Sequence, residues 1–334
     1  MLQVGFAPTA ETHRIIPLSK CRGTVPAWAT TLASRVVRIL VTGSKGFVGG
    51  WLLAHLESSG DEVFGLDTEV DVTDLRAVEE FVHDAAPEAI CHLAAQSSVG
   101  ASWVDQASTY QVNFVGTLNV LEAANGCPER PRVLLVSSAE VYGRVAPEEL
   151  PLSEDHPFAP ISPYAASKAA AEMLGLRAWL GDGLEVIRAR PFNHTGPGQR
   201  TDFVVPALAK QVADAVGSGA DALRTGNLDT KRDLTDVRDV VRCYRRLIVS
   251  GTPGAVYNVC SGESVAIREI AERLLVLAGL DLPILIDPGR VRESDIPELR
   301  GNPSTLRAAT GWTPEIPLEV TLRDVLAYWQ RPAA

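Results

Sequence analysis

The chain has 334 residues, 46% of them hydrophobic, and a formal net charge of -10 at neutral pH. That is apolar material for a large core in more than one packing unit, and no run approaches the ~18 apolar residues of a membrane span, which excludes a membrane protein. The negative balance opposes nucleic acid phosphates, so nucleic acid binding is not expected, and Arg-rich "RCYRRL" reads as a helix face turned to solvent or to acidic neighbours.

Cys21, Cys91, Cys127, Cys243 and Cys260 are widely scattered and contain no CxxC. Such spacing argues against a disulfide framework and against a zinc site, so no metal and a reducing, cytoplasmic setting are expected.

Residues 1–35 stand apart. Glu11 is their only acid against Arg14, Lys20, Arg22 and Arg35, no periodicity runs through them, and they lack the basic start and apolar block of a secretory signal. They read as an extension outside the fold, or as the product of an over-early start codon.

From Val36 short β-branched runs alternate with amphipathic stretches: "VVRILVTG", "EVFGLD", "AICHLAA", "RVLLVSS" and "LEVIRARP" are separated by segments with apolar residues at spacings of three and four. The pattern predicts βαβ units and an α/β fold, a Rossmann-type doubly wound parallel sheet over 36–190. After Pro191 the turn-rich "RPFNHTGPGQRTD" opens a smaller α/β lobe, expected over 191–235 and again over 280–330. The piece between, about 236–279, is expected to rejoin the main sheet, which makes the lobe discontinuous.

The first strand runs into "TGSKGFVGG", with Gly43, Gly46 and Gly49 at a turn and at the opening of a helix. Glycines there let backbone N–H groups and the helix N-terminus approach a pyrophosphate. Asp67 ends the second strand 67 minus 43, or 24, residues later, near the ~20 expected of an acid that holds the adenosine ribose. Its charge would repel a 2'-phosphate, so NAD(P)(H) is expected with a lean to NAD(H), although Lys45 inside the loop is a cation able to neutralise a further phosphate. Asp71 either caps its loop or holds the adenine amino group.

"VSSAEVYG" then sets Ser138, Ala139 and Glu140 side by side after a strand, and "SPYAASK" opens a helix with Ser162 as cap, Pro163 in the first turn, and Tyr164 and Lys168 on one face. A phenol with an ordinary pKa of ~10 is a poor catalyst near neutrality, and an adjacent ammonium favours the phenolate. Lys168 is expected to lower the Tyr164 pKa in this way and to hold the nicotinamide ribose.

With TGxxGFxG, "HLAAQSSV", "VNFVGTLNVLEAA", "SSAEVYG", "SPYAASK" and "RPFNHTGPGQ" together, the chain after residue 36 resembles the extended short-chain dehydrogenase/reductases that act on nucleotide sugars. The resemblance implies a catalytic set of Ser138, Tyr164 and Lys168, with Glu140 as an acidic helper. It implies cofactor contacts from Phe47, Val48, Val72, Leu93, Ala94 and Ala95 beside the glycines. For the sugar nucleotide it implies Ser98, Asn193 and the backbone from Phe203 through Val204 to Val205, while Arg232 and Arg292 are the candidate cations for its diphosphate. A homodimer through helices near 106–125 and 163–180 is also implied.

The C-terminal segments are similar to the branch of this family that holds the 4-keto-6-deoxy-mannose reductases and the 4,6-dehydratases of GDP-sugars. A dehydratase must expel hydroxide from the sixth carbon, a step helped by a proton donor where this chain has Ala139. The expectation is therefore NAD(P)H-dependent reduction of a GDP-4-keto-6-deoxy-hexose to a GDP-rhamnose-type product. A 4,6-dehydratase, another nucleotide-sugar epimerase or reductase, and a cofactor-sensing regulator are the alternatives.

Overall fold

The computed structural model describes residues 36–290 and 296–331. The expected extension over 1–35 and the candidate Arg292 lie outside the described residues.

Six parallel strands form the main sheet. In chain order its first half is β1 (Arg38–Thr42), α1 (Phe47–Ser58), β2 (Glu62–Leu66), α2 (Leu75–Ala85) and β3 (Ala89–His92). Then come α3 (Val99–Val104), α4 (Gln106–Tyr110), a π-helical turn (Gln111–Val115) that runs into α5 (Gly116–Gly126), and β4 (Arg132–Val136). The spatial order is β2-β1-β3-β4-β5-β9, with β5 spanning Val186–Pro191 and β9 Val256–Val259. The chain leaves β1 towards one edge and returns to β3 on its other side, so the switch point between them opens a crevice at the carboxyl ends of the strands.

Strands β3 and β4 are buried along their whole length, which is why they read as continuous apolar runs rather than alternating ones. The polar members are sheltered, Arg132 on Glu185 at 2.8 Å and on the Ile248 carbonyl oxygen at 2.9 Å, and His92 on the hydroxyls of Thr42 at 2.8 Å and Thr117 at 3.0 Å. Two cores cover the faces. Leu52, Leu56, Tyr244 and Ile248 pack on one side with Val41, Cys91 and Val136, and Val78, Val82, Val120 and Ala124 pack on the other with Leu40, Ile90 and Leu135.

Helix α6 (Pro163–Arg177) starts as its sequence dictates, with the Ser162 hydroxyl accepting from the Ala165 N–H at 3.1 Å and Pro163 in the first turn. After β5 come β6 (Asn193–Thr195), α7 (Val204–Ser218), β7 (Leu223–Thr225), β8 (Lys231–Asp236) and α8 (Val237–Ser250). Beyond β9 lie β10 (Ser264–Ala266), α9 (Ile267–Ala278), β11 (Ile284–Ile286), β12 (Glu298–Leu299), α10 (Ser304–Thr310) and α11 (Leu318–Trp329).

The segment expected to rejoin the main sheet does so through α8 and β9 only. Strand β10 pairs antiparallel with β8, and α9 packs on α7 and α11 around Leu208, Val212, Ile270, Leu274, Leu322 and Val325. The return therefore ends near Val259 rather than 279, because the apolar stripe of α9 faces the lobe core. Conversely, α10 and the fully buried Trp312 join the main core, where the indole N–H donates to the Asp239 carbonyl oxygen at 3.0 Å.

Candidate functional site

A cleft of about 790 Å³ runs along the carboxyl ends of the strands from the glycine loop to the second lobe. At its floor Gly43 has φ +70°, and a Cβ there would lie 2.9 Å from the Ala94 nitrogen. A Cβ on Gly49 would sit 2.1 Å from the Gly43 oxygen. Helix α1 begins behind Gly46 with no side chain capping its first N–H groups. Bare backbone and a 12-residue helix with uncapped N–H groups suit a pyrophosphate, so the residues present fit a dinucleotide.

Phe47, Val48, Val72, Leu93, Ala94 and Ala95 also line the cleft. The Thr42 hydroxyl fixes Leu93 and Ala94 by accepting from their N–H groups at 3.2 and 3.1 Å. It also bonds His92 Nδ1 at 2.8 Å, and burial drives the His92 pKa down to about 3, so this imidazole is a neutral strut.

At the far end the Asp67 carboxylate accepts from the Lys45 N–H at 2.6 Å and from its neighbour Thr68 at 2.9 Å. The Lys45 ammonium pairs with Glu69 at 2.7 Å. Asp71 accepts from the Thr73 N–H and hydroxyl, both at 2.9 Å, so it closes its own loop while its residue borders the cleft.

The central group is built by two segments, the turn after β4 and helix α6. Ser138 ends the extended chain after β4 and caps a 3-10 turn (Ala139–Tyr142), its oxygen accepting from the Glu140 N–H at 3.2 Å. Tyr164, from α6, is hydrogen-bonded to the Ser138 hydroxyl, and its own N–H donates to Ser102 at 3.2 Å. Lys168 lies one turn along and donates to the Val136 carbonyl oxygen at 2.8 Å. Ser138, Ala139, Glu140, Tyr164 and Lys168 all line the cleft.

The expected lowering of the Tyr164 pKa is not what the geometry produces. Burial pushes the phenol up to about 12, against the Ser138 hydrogen bond that pulls it down, while burial brings Lys168 down to about 8. Both groups sit where charge is costly, and the ammonium is directed to a carbonyl rather than to the phenol.

The substrate candidates divide. Asn193 and Phe203 line the cleft, and the Asn193 side-chain oxygen is buried without a partner, as a group awaiting a ligand donor would be. Val204 is exposed at the start of α7, Val205 points into the lobe core, and neither borders the cleft. Ser98 is spent as the cap of α3, accepting from the Ala101 N–H at 3.2 Å. Arg232 donates to the carbonyl oxygens of Lys231 and Ile296 at 2.9 and 2.8 Å and does not line the cleft either.

The sequence reading missed Arg200, an exposed cation that borders the cleft and pairs with Asp202. Its signal was position, seven residues after Asn193 in the same turn-rich stretch. It also missed Gln96, whose N–H donates to Asn113 at 2.8 Å, and Asn113 itself, whose amide donates to Ser167 at 2.9 Å beside Lys168.

The family model described as GDP-mannose 4,6 dehydratase matches residues 67–325. The GDP-6-deoxy-D-mannose reductase of Pseudomonas aeruginosa is 40% identical over 296 residues, 88% of this chain and 97% of that protein. A GDP-mannose 4,6-dehydratase of Yersinia enterocolitica is 27% identical, covering 87% of this chain and 93% of its own. Among solved structures, RMD from Pseudomonas aeruginosa complexed with NADPH superposes with a TM-score of 0.83 at 40% identity, over 88% of this chain and 99% of that one. The UDP-glucose 4-epimerase of Thermus thermophilus in complex with NAD gives 0.79 at 29%, over 87% and 98%.

Proposed function

The chain belongs to the family of extended short-chain dehydrogenase/reductases that the GDP-mannose 4,6 dehydratase model describes, and from that premise we propose that it reduces the 4-keto group of a GDP-4-keto-6-deoxy-hexose to give a GDP-rhamnose-type product. A nicotinamide cofactor in reduced form supplies the hydride when bound. Tyr164 Oη donates the balancing proton to the carbonyl oxygen, and its raised pKa keeps that proton in place at neutral pH. Ser138 hydrogen-bonds the phenol, and Lys168, charged below about pH 8, stabilises the anion left after transfer.

The observation that carries reduction over dehydration is Ala139. Its methyl group lies buried between Ser138 and Glu140 on the cleft wall, where a dehydratase benefits from a proton donor. Glu140 in the same wall keeps dehydration as the second reading. Incubation with GDP-mannose, then with its 4-keto-6-deoxy derivative, while nicotinamide absorbance is followed, separates the two. Oxidation of reduced cofactor by the ketone alone supports reduction; a ketone formed from GDP-mannose with no net cofactor change refutes it.

Arg200 and the amide N–H group of Asn193 would receive the diphosphate, while the unpartnered Asn193 oxygen is left to accept from a hydroxyl or N–H of the ligand. At the ribose end Asp67 and Glu69 outnumber Lys45, which supports NAD(H) over NADP(H). Trp103, Val104, Tyr110, Met173 and Leu180 expose apolar surface on and beside α3, α4 and α6, which supports a homodimer through this face. Cys91, Cys127, Cys243 and Cys260 are free and buried, in keeping with the cytoplasm, and no helix among the described residues is long and apolar enough to cross a membrane.

A further inference from the structure

Among the described residues that line the cleft, three carry a buried polar atom without a hydrogen-bond partner: Ser137 Oγ, Asn193 Oδ1 and Tyr244 Oη. Tyr244 has no place in the chemistry derived above. It stands on α8, fully buried among Val41, Cys91 and Val136, and it reaches the cleft from the α1/α8 side of the sheet. Tyr164 and Lys168 reach the same cleft from α6, on the opposite side. A phenylalanine would fill the Tyr244 site without stranding a hydroxyl, so the group that pairs with this oxygen lies outside the polypeptide.

Its place narrows the choice. Tyr244 packs with Cys91 and Val136 near the carboxyl ends of β3 and β4, and it lines the cleft together with Ser138 and Tyr164, whereas Asp67 and Asp71 mark the adenosine end beyond β2. A nicotinamide ring bound at this end would be met by Tyr164 from the α6 side of the sheet and by Tyr244 from the α8 side. We infer that Tyr244 is a cofactor-positioning residue, whose hydroxyl donates to the carboxamide oxygen of the nicotinamide ring and fixes the rotation of that ring in the cleft. Burial holds the Tyr244 phenol well above its ordinary pKa, so it remains a neutral donor throughout the working range. The inference rests on the dinucleotide reading of the cleft and is independent of which sugar is reduced.

The test is Tyr244→Phe, titrated calorimetrically with NADH and with ADP-ribose, which carries no nicotinamide. The NADH Kd should rise about five- to tenfold, the worth of one hydrogen bond. The ADP-ribose Kd should not change, and the ligand-free melting temperature should hold or rise, because the hydroxyl removed has no partner in the protein. Unchanged NADH affinity, equal weakening of both ligands, or a lower melting temperature would each overturn the assignment. Wild-type protein gives a second reading that needs no variant. A dinucleotide with hydrogen in place of the carboxamide should bind about five- to tenfold more weakly than the parent, and equal binding would also overturn it. Because no step requires a sugar nucleotide, these outcomes are separate from the fate of the reductase reading.

Discussion

The Lys168 ammonium donates to the carbonyl oxygen of Val136 at 2.8 Å, and so ties the catalytic helix to the strand that delivers Ser137 and Ser138. Burial lowers its pKa from 10.5 to about 8, so the cation is present below that pH and lost above it. Reduction should therefore fall as pH rises through about 8. Tyr164, raised to about 12, adds no falling limb in that range. Lys168→Arg should move the limb beyond reach, since a guanidinium stays charged. Stability has its own sign: between about 8 and 10.5 the unfolded chain binds the extra proton, so the Lys168 contribution to stability rises with pH. Kinetic profiles of wild type and Lys168→Arg from pH 6 to about 10, with melting temperatures alongside, test both statements; a limb that ignores the substitution refutes the assignment.

Tyr164→Phe removes the proton donor and keeps the ring, in a position only 9% exposed. Turnover should drop by about 10² to 10⁴-fold, while cofactor affinity stays close to wild type. Single-turnover oxidation of bound reduced cofactor by the ketone is the measurement. A rate within about tenfold of wild type would remove Tyr164 from the mechanism.

The frame of the site was legible because the period of the strands, the glycine spacing and the Ser162-Pro163 cap are local signals. Five of the six main strands lie in the apolar runs that predicted them, and the sixth, β9, lies in the segment expected to rejoin the sheet. The division of the lobes was less legible. The stripe of α9 states that one face is buried but not against which layer, and the three-dimensional return of β10 to β8 decides that. The Tyr164 shift was missed for a related reason: spacing puts Lys168 on the same face, whereas desolvation depends on how deeply both are buried. The local hydrogen bonds of Ser98 and Arg232, a helix cap and two carbonyls, were likewise not legible, because residue type and spacing do not reveal them.

The proposed preference for NAD(H) can be tested at Glu69, which holds the Lys45 ammonium at 2.7 Å at the protein surface. With Glu69→Ala that cation is released beside Asp67 and becomes available to a 2'-phosphate. The ratio of kcat/KM for NADPH over NADH should increase, by up to about fivefold given the modest worth of exposed ion pairs. Lys45→Ala should move the ratio the other way. If both substitutions leave it unchanged, the loop does not set the preference.

On α6 itself, Glu172 is fully buried one turn past Lys168 and accepts from Arg190 Nη2 at 2.7 Å and from its Nε at 3.0 and 3.1 Å. The same guanidinium donates to the Tyr142 hydroxyl at 2.8 Å, and Tyr142 donates onward to Asn258 at 2.7 Å. Arg190 thereby joins α6, the turn that carries Ala139 and Glu140, and the strand that leads into Asn193. Glu172→Gln strands a buried charge and should cost about 3–5 kcal/mol. Tyr142→Phe removes one arm of the network and should cost about 1–3 kcal/mol. Because both act through Arg190, the double variant should lose less than the two losses added. Urea unfolding of the four proteins supplies the cycle, and strict additivity would show that the pair and the turn are held independently.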